Sequence, residues 1–173
     1  MSAASPMRTL DVRPLTHEAF APFGTVIDCD AGTPLLINGG TAQRFDRLAE
    51  VGFNAPARGV GISIFVAGAR TLPMRIEQLE RHPLGAQAFM PLGGHDYLVI
   101  VADDRDGRPV APRAFHARAD QGVCFGIGVW HHPLIALHDH SRFIVIDAIT
   151  DDDNLMLAEP FGARFLLGAF APP

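Results

Sequence analysis

Apolar and polar positions along this chain fall into short runs, each bounded by Gly, Pro, Asp or Asn. Three runs are strong: Val60-Gly61-Ile62-Ser63-Ile64-Phe65-Val66, then 97–102 and 142–147. Their length and their β-branched and aromatic content predict strands. Thr25-Val26-Ile27 and Leu35-Leu36-Ile37 are shorter runs of the same kind. Asp103-Asp104-Arg105-Asp106-Gly107 reads as a turn. Helical pattern is scarce. Residues 16–22 suggest one short turn of helix, with Thr16 as N-cap and Glu18 favoured by the N-terminal dipole. Residues 44–51 fit helix or strand equally. The glycines and prolines lie between the runs, as in a sandwich or barrel. The expected fold is mainly β with few short helices.

Two runs break this pattern with polar groups in apolar surroundings. One is Leu79-Glu80-Arg81-His82-Pro83-Leu84-Gly85-Ala86-Gln87-Ala88-Phe89; the other is Gly128-Val129-Trp130-His131-His132-Pro133-Leu134. Burying such groups is costly unless they are satisfied, so two such clusters in one small chain mark a site. Strand alternation puts Glu80 and His82 on one face and Arg81 on the other. It also separates His131 from His132, and His132 is biased to extended backbone by Pro133. Trp130 reads as a core or wall residue. A third segment, Ile37-Asn38-Gly39-Gly40-Thr41-Ala42-Gln43-Arg44-Phe45, has two readings. It is an ordinary hairpin turn, or Asn38, the glycine amides and Arg44 hold a small polar acid.

Composition narrows the function classes. A chain of 173 residues favours one domain, 1–173, and 48% hydrophobic residues are ample for a core. A net charge of −5 argues against nucleic acid as a partner. Every basic residue apart from the histidines is an arginine, whose planar fork suits a carboxylate. Cys29 and Cys124 form no C-x-x-C pair and read as buried thiols. Neither a signal-like nor a membrane-spanning apolar stretch is evident, so a soluble cytoplasmic protein is expected. His17, His95, His116, His138 and His140 sit in no motif and read as surface or loop residues. Asp151-Asp152-Asp153-Asn154 reads as a solvated acidic turn.

The spacing of the two polar clusters resembles a degenerate cupin metal motif. Glu80-x-His82 is followed by four residues and Gln87, with Gly93-Gly94 beyond, and Gly128-Val129-Trp130-His131 fits the second half. On that pattern Glu80, His82, Gln87 and His131 converge inside a small barrel. Such a set suits a divalent transition metal such as Ni, Zn or Mn. Two alternatives stay open. Without a metal, the same groups serve as acid, base and hydrogen-bond partners. In a purely structural role, they are satisfied core residues.

Together the segments resemble the ureidoglycolate lyase family of allantoin and purine catabolism. The resemblance rests on Ile37-Asn38-Gly39-Gly40 with Arg44-Phe45, Leu79 to Gly85 with Gln87-Ala88-Phe89 and Pro91, Gln121-Gly122-Val123, Gly128 to Leu134, and the Phe143 strand ending in Asp147. It implies a cupin-like β-barrel, of jelly-roll or double-stranded β-helix type, assembled as a homodimer. It also implies a carbon–nitrogen lyase that splits (S)-ureidoglycolate into glyoxylate and urea. That reaction needs a base for the hydroxyl proton, an acid for the leaving nitrogen and a cation for the carboxylate. His82 or Glu80 is expected as base, and His131 as acid or metal ligand. Arg44 and Arg81 are the carboxylate candidates, with Asn38 and Gln87 for the ureido group. The chain departs from the family pattern at Val66, Phe125 and Ala148, where a basic, an aromatic hydroxyl and an arginine side chain are common. These departures motivate an alternative from another class, a non-enzymatic cupin that binds or senses a small ureide or 2-oxo acid. A metal-dependent isomerase or oxygenase fits the incomplete ligand set less well.

Overall fold

The structure is a computed structural model, and it describes residues 7–170. In chain order, β1 (Met7–Leu10) and β2 (Val12–Pro14) precede helix α1 (His17–Phe20) and β3 (Gly24–Ile27). A hairpin follows, β4 (Leu35–Ile37) and β5 (Ala42–Arg44), and then β6 (Val60–Ala67). The middle of the chain supplies β7 (Met74–Ile76), β8 (Leu79–Arg81), β9 (Gln87–Pro91), β10 (Tyr97–Arg105) and β11 (Arg108–Ala117). The rest are β12 (Gly122–Phe125), β13 (Trp130–His131), β14 (Ile135–Ala136), β15 (Ser141–Ala148), β16 (Met156–Ala158) and β17 (Arg164–Leu167).

Two sheets dominate. One has seven strands, in the order β16-β8-β13-β10-β11-β2 with β14 also on β10; the other runs β3-β12-β9-β15-β6. Their inner faces enclose one core, in which Tyr97, Val99, Val101 and Phe115 meet Phe89, Val123, Phe125, Phe143 and Val145. A three-stranded sheet, β1-β17-β7, covers the other side of the larger sheet. There Leu98, Ile100 and Trp130 pack with Ile76, Phe165 and Leu167. β10 is therefore buried on both faces, and its unbroken apolar run follows from that. The result is a mainly β architecture, two sheets facing each other across one core, with one short α-helix among the described residues.

Local chemistry explains most boundaries. The side chain of Thr16 accepts the Ala19 N–H at 3.2 Å and caps α1, as expected. β10 runs through Arg105, past the expected turn at Asp103. The turn itself is only Asp106-Gly107, both with positive φ (54° and 77°), the geometry of a tight two-residue hairpin. The ambiguous segment 44–51 is neither helix nor strand beyond Arg44; Ala49 and Val51 pack on Ala86, Ala88 and Cys124. Cys124 is buried, but Cys29 is exposed, contrary to expectation. His116 is also not a surface residue. It is buried, and its Nε2 lies 2.7 Å from an Asp96 oxygen. Among the described residues no helix is long and apolar enough to cross a membrane.

Candidate active site

β8 and β13 lie side by side with Glu80 directly opposite His131. Paired residues on adjacent antiparallel strands point to the same face. His82 follows β8 on the Glu80 side, and its ring lies 5.3 Å from that of His131. Gln87 opens β9 on the facing sheet. These strands frame a cavity of about 700 Å³, lined on its polar side by Glu80, His82, Gln87 and Asp147. Phe65, Phe89, Leu134 and Leu155 supply apolar wall. No arginine is among the lining residues.

Both imidazoles are oriented from behind. His82 Nδ1 lies 2.8 Å from the Asn154 carbonyl oxygen, and His131 Nδ1 lies 2.9 Å from that of Val129. A carbonyl only accepts, so each Nδ1 carries a proton, and the second nitrogen that each ring turns to the site is Nε2. Both Nε2 atoms are buried without a partner among the described residues. His131 Nε2 lies 3.5 Å from Glu80 Oε1. One atom each from Glu80, His82 and His131 fall within 4.8 Å of one another.

Burial sets the electrostatics. It pushes the His131 imidazole down to about 3, against the opposing pull of its bond to Val129. His131 is therefore neutral at neutral pH, with no proton on Nε2 to give. Phe125 lies flat against it, 4.2 Å between ring centres and 10° between planes. The Glu80 carboxyl is pushed up, also by burial, with His82 pulling weakly the other way. The chemistry available is thus three converging acceptors, one of them a carboxyl that holds its proton more tightly than usual. Such a set fits a divalent cation, because none of the described residues donates to the two Nε2 atoms.

The other expected site residues lie elsewhere. Arg81 points to the opposite face, as alternation requires. Its guanidinium lies over the Trp130 ring at 4.5 Å and pairs with Asp104 at 2.8 Å. Trp130 is a buried core residue on that opposite face, and its Nε1 donates to the same carboxylate. Asn38 sits in the β4–β5 turn with φ 54°, and Arg44 pairs with Asp46 at 2.7 Å on the exposed hairpin. Neither lines the cavity.

A family model described as ureidoglycolate lyase matches residues 7–161. The chain belongs to the ureidoglycolate lyase family. A ureidoglycolate lyase from Rhizobium etli is 48% identical over 146 residues, covering 84% of this chain and 88% of its own length. One from Brucella ovis is 48% identical over 149 residues, covering 86% and 88%. Among solved structures, a Bacillus subtilis oxalate decarboxylase mutant is 13% identical with a TM-score of 0.37, covering 63% of this chain and 26% of its own, too slight a likeness to argue from.

The three departures from the ureidoglycolate lyase pattern are unequal. Val66 is 63% exposed on the cavity rim. Ala148 packs against Gly85. Only Phe125 touches a site residue, and it does so as a flat apolar support for His131. Two residues in or behind the cavity were not singled out from sequence. Asp147 shares the inner face of β15 with buried Phe143 and Val145, so alternation along 143–147 carries the signal. Asn154 was read as part of an acidic turn. It acts through its backbone carbonyl on His82, while its side-chain oxygen accepts the Leu84 N–H at 2.7 Å; a carbonyl contact has no signature in residue type.

Proposed function

We propose that this chain is a ureidoglycolate lyase, splitting (S)-ureidoglycolate into glyoxylate and urea within one domain. The observation that carries this reading is the convergence of Glu80 and His82, which line the cavity, with buried His131 behind them, in a chain of this family. The reaction is internally balanced in protons. The hydroxyl proton leaves as the carbonyl of glyoxylate forms, the C–N bond breaks, and one proton ends on the urea nitrogen. One group that takes a proton and returns it therefore suffices. Without an ion, Glu80 is that group: it lines the cavity and burial pushes its carboxyl up. His82 turns its Nε2 to the site beside it, and neutral His131 serves as metal ligand or acceptor, the second of the two roles expected for it from sequence.

Glu80, His82 and His131 would hold a divalent ion such as Ni, Zn or Mn, with Gln87 nearby. When bound, that ion would supply the positive charge that the substrate carboxylate and hydroxyl call for and that no lining arginine offers. The chain's own groups orient the substrate, and Phe65, Phe89 and Leu134 give it an apolar wall.

The working unit in this proposal is a homodimer. β6 is an edge strand with Ile62 75%, Ile64 56% and Val66 63% exposed. The β4–β5 hairpin pairs with no other strand and exposes 68% of Leu36. Long apolar edges and bare hairpins are ready pairing surfaces. Incubating the purified protein with (S)-ureidoglycolate tests the activity: equimolar urea and glyoxylate are expected. Saturable binding without release would favour a sensor of small ureides instead.

A further inference from the structure

Gln87 is 6% exposed, and its Oε1 is buried with no hydrogen-bond partner among the described residues. Its Nε2 donates to Asp147 Oδ2 at 3.2 Å. The two side chains are brought together by the pairing of β9 with β15, in which Ala88 lies opposite Ile146. A carboxylate has no N–H to offer, so the amide cannot turn the other way round. Asp147 therefore holds the Gln87 nitrogen on its own carboxylate and leaves the carbonyl oxygen buried and unpaired in a residue that lines the cavity. The other carboxylate oxygen, Asp147 Oδ1, takes no hydrogen bond from the described residues.

This corner of the cavity thus shows two unpaired acceptors beside the one Gln87 N–H that Asp147 does not use, and a buried carbonyl left unpaired is costly. An occupant that brings two N–H groups satisfies both acceptors. A ureido group does so: on each nitrogen one N–H points away from its carbonyl, and the two run parallel. We infer that Asp147 is a specificity-determining residue, orienting Gln87 so that Gln87 Oε1 and Asp147 Oδ1 together receive the ureido N–H groups of the substrate. This rests on the lyase reading above. It also fixes the substrate's direction, with the ureido end on β9 and β15 and the hydroxy-acid end toward Glu80, His82 and His131. A plain 2-oxo acid has no N–H to offer these acceptors and is expected to bind more weakly for that reason.

The products separate the two ends of the site, because urea probes the amide corner and glyoxylate the acid corner. Steady-state turnover of (S)-ureidoglycolate, with each product added as inhibitor, compares the wild type with Asp147→Asn and Gln87→Met. Both substitutions roughly keep side-chain size, and a thermal melt checks that each folds. In Asp147→Asn the new amide can donate to Gln87, so the pair no longer presents two acceptors. KM is expected to rise about tenfold or more, with a smaller change in kcat. Urea inhibition should weaken by a similar factor while glyoxylate inhibition holds. A merely structural role would weaken both inhibitors alike, and that result in a folded variant overturns the inference. So does an unchanged KM in both variants. If the wild type releases no urea, the lyase reading fails and this inference falls with it; if it turns over normally and the inhibitor split is absent, the assignment of Asp147 alone is wrong.

Discussion

His131 Nε2 and Glu80 Oε1 face each other at 3.5 Å across the β8–β13 pairing, and no donor in the described chain reaches the imidazole nitrogen. Two acceptors so close are stable only with a proton or a cation between them. Burial answers for His131, which is held neutral. A shared ion is the arrangement that satisfies His82 Nε2 as well. The expected outcome is that protein dialysed against Ni, Zn or Mn retains about one equivalent of one of them, and that Glu80→Gln and His131→Ala retain much less. Metal analysis after gel filtration checks this. Equal retention by wild type and variants would leave the three groups as a metal-free acid–base site, and exhaustive chelation would then leave the rate untouched.

Asn154 holds His82 from behind, with its own side chain tied to the Leu84 N–H. Asn154→Ala removes the tie and lets the carbonyl drift. Loss of a support of this kind typically costs about tenfold to a hundredfold in activity or metal affinity. The expected result is a fall in kcat in that range with a near-normal melting temperature. An unaltered kcat would show that the carbonyl holds its place without the side chain.

Much of this site is legible in the sequence, because strands alternate. Glu80 and His82 share a face and Arg81 does not, and the cation–π contact of Arg81 with Trp130 is the direct consequence. His131 is legible through its spacing from Gly128. The two-sided burial of β10 is legible in its unbroken apolar run. What stays hidden depends on tertiary pairing. His116 looked like a loop residue because its partner, Asp96, lies on the far side of the β10–β11 hairpin. Arg44 looked like a substrate ligand because Asn-Gly-Gly turns often cradle anions, yet the hairpin that carries it stands clear of its own cavity.

Asp104 ties the back of the site together. It accepts from Trp130 Nε1 and pairs with Arg81, each at 2.8 Å. The Trp130 bond, the Gly107 N–H and Arg81 hold its carboxyl below the usual range. A carboxyl lowered in the folded state adds stability above its unfolded value, about 3.9, and that stability is lost as pH falls through the folded value. Asp104→Asn should therefore lower the melting temperature at pH 7 and reduce its fall at pH below about 4, with urea release retained. Parallel pH–melting curves for the two proteins would refute the coupling. The pair is partly exposed, so the effect is small and weakened by salt.

The exposed strand surface makes its own prediction. Wild type should sediment as a dimer at micromolar concentration, and Ile62→Glu, which charges the middle of the open β6 face, should sediment as a monomer. A wild-type monomer would contradict the assembly. A dimer that survives the substitution would place the interface elsewhere.

The most direct test of the account is the initial rate of urea and glyoxylate release from (S)-ureidoglycolate by wild type and His82→Ala, side by side, with melting curves for both. The account predicts equimolar products from the wild type. It predicts a rate at least about a hundredfold lower from the folded variant. Wild-type protein that binds but releases nothing, or a variant that turns over at the wild-type rate, would contradict it.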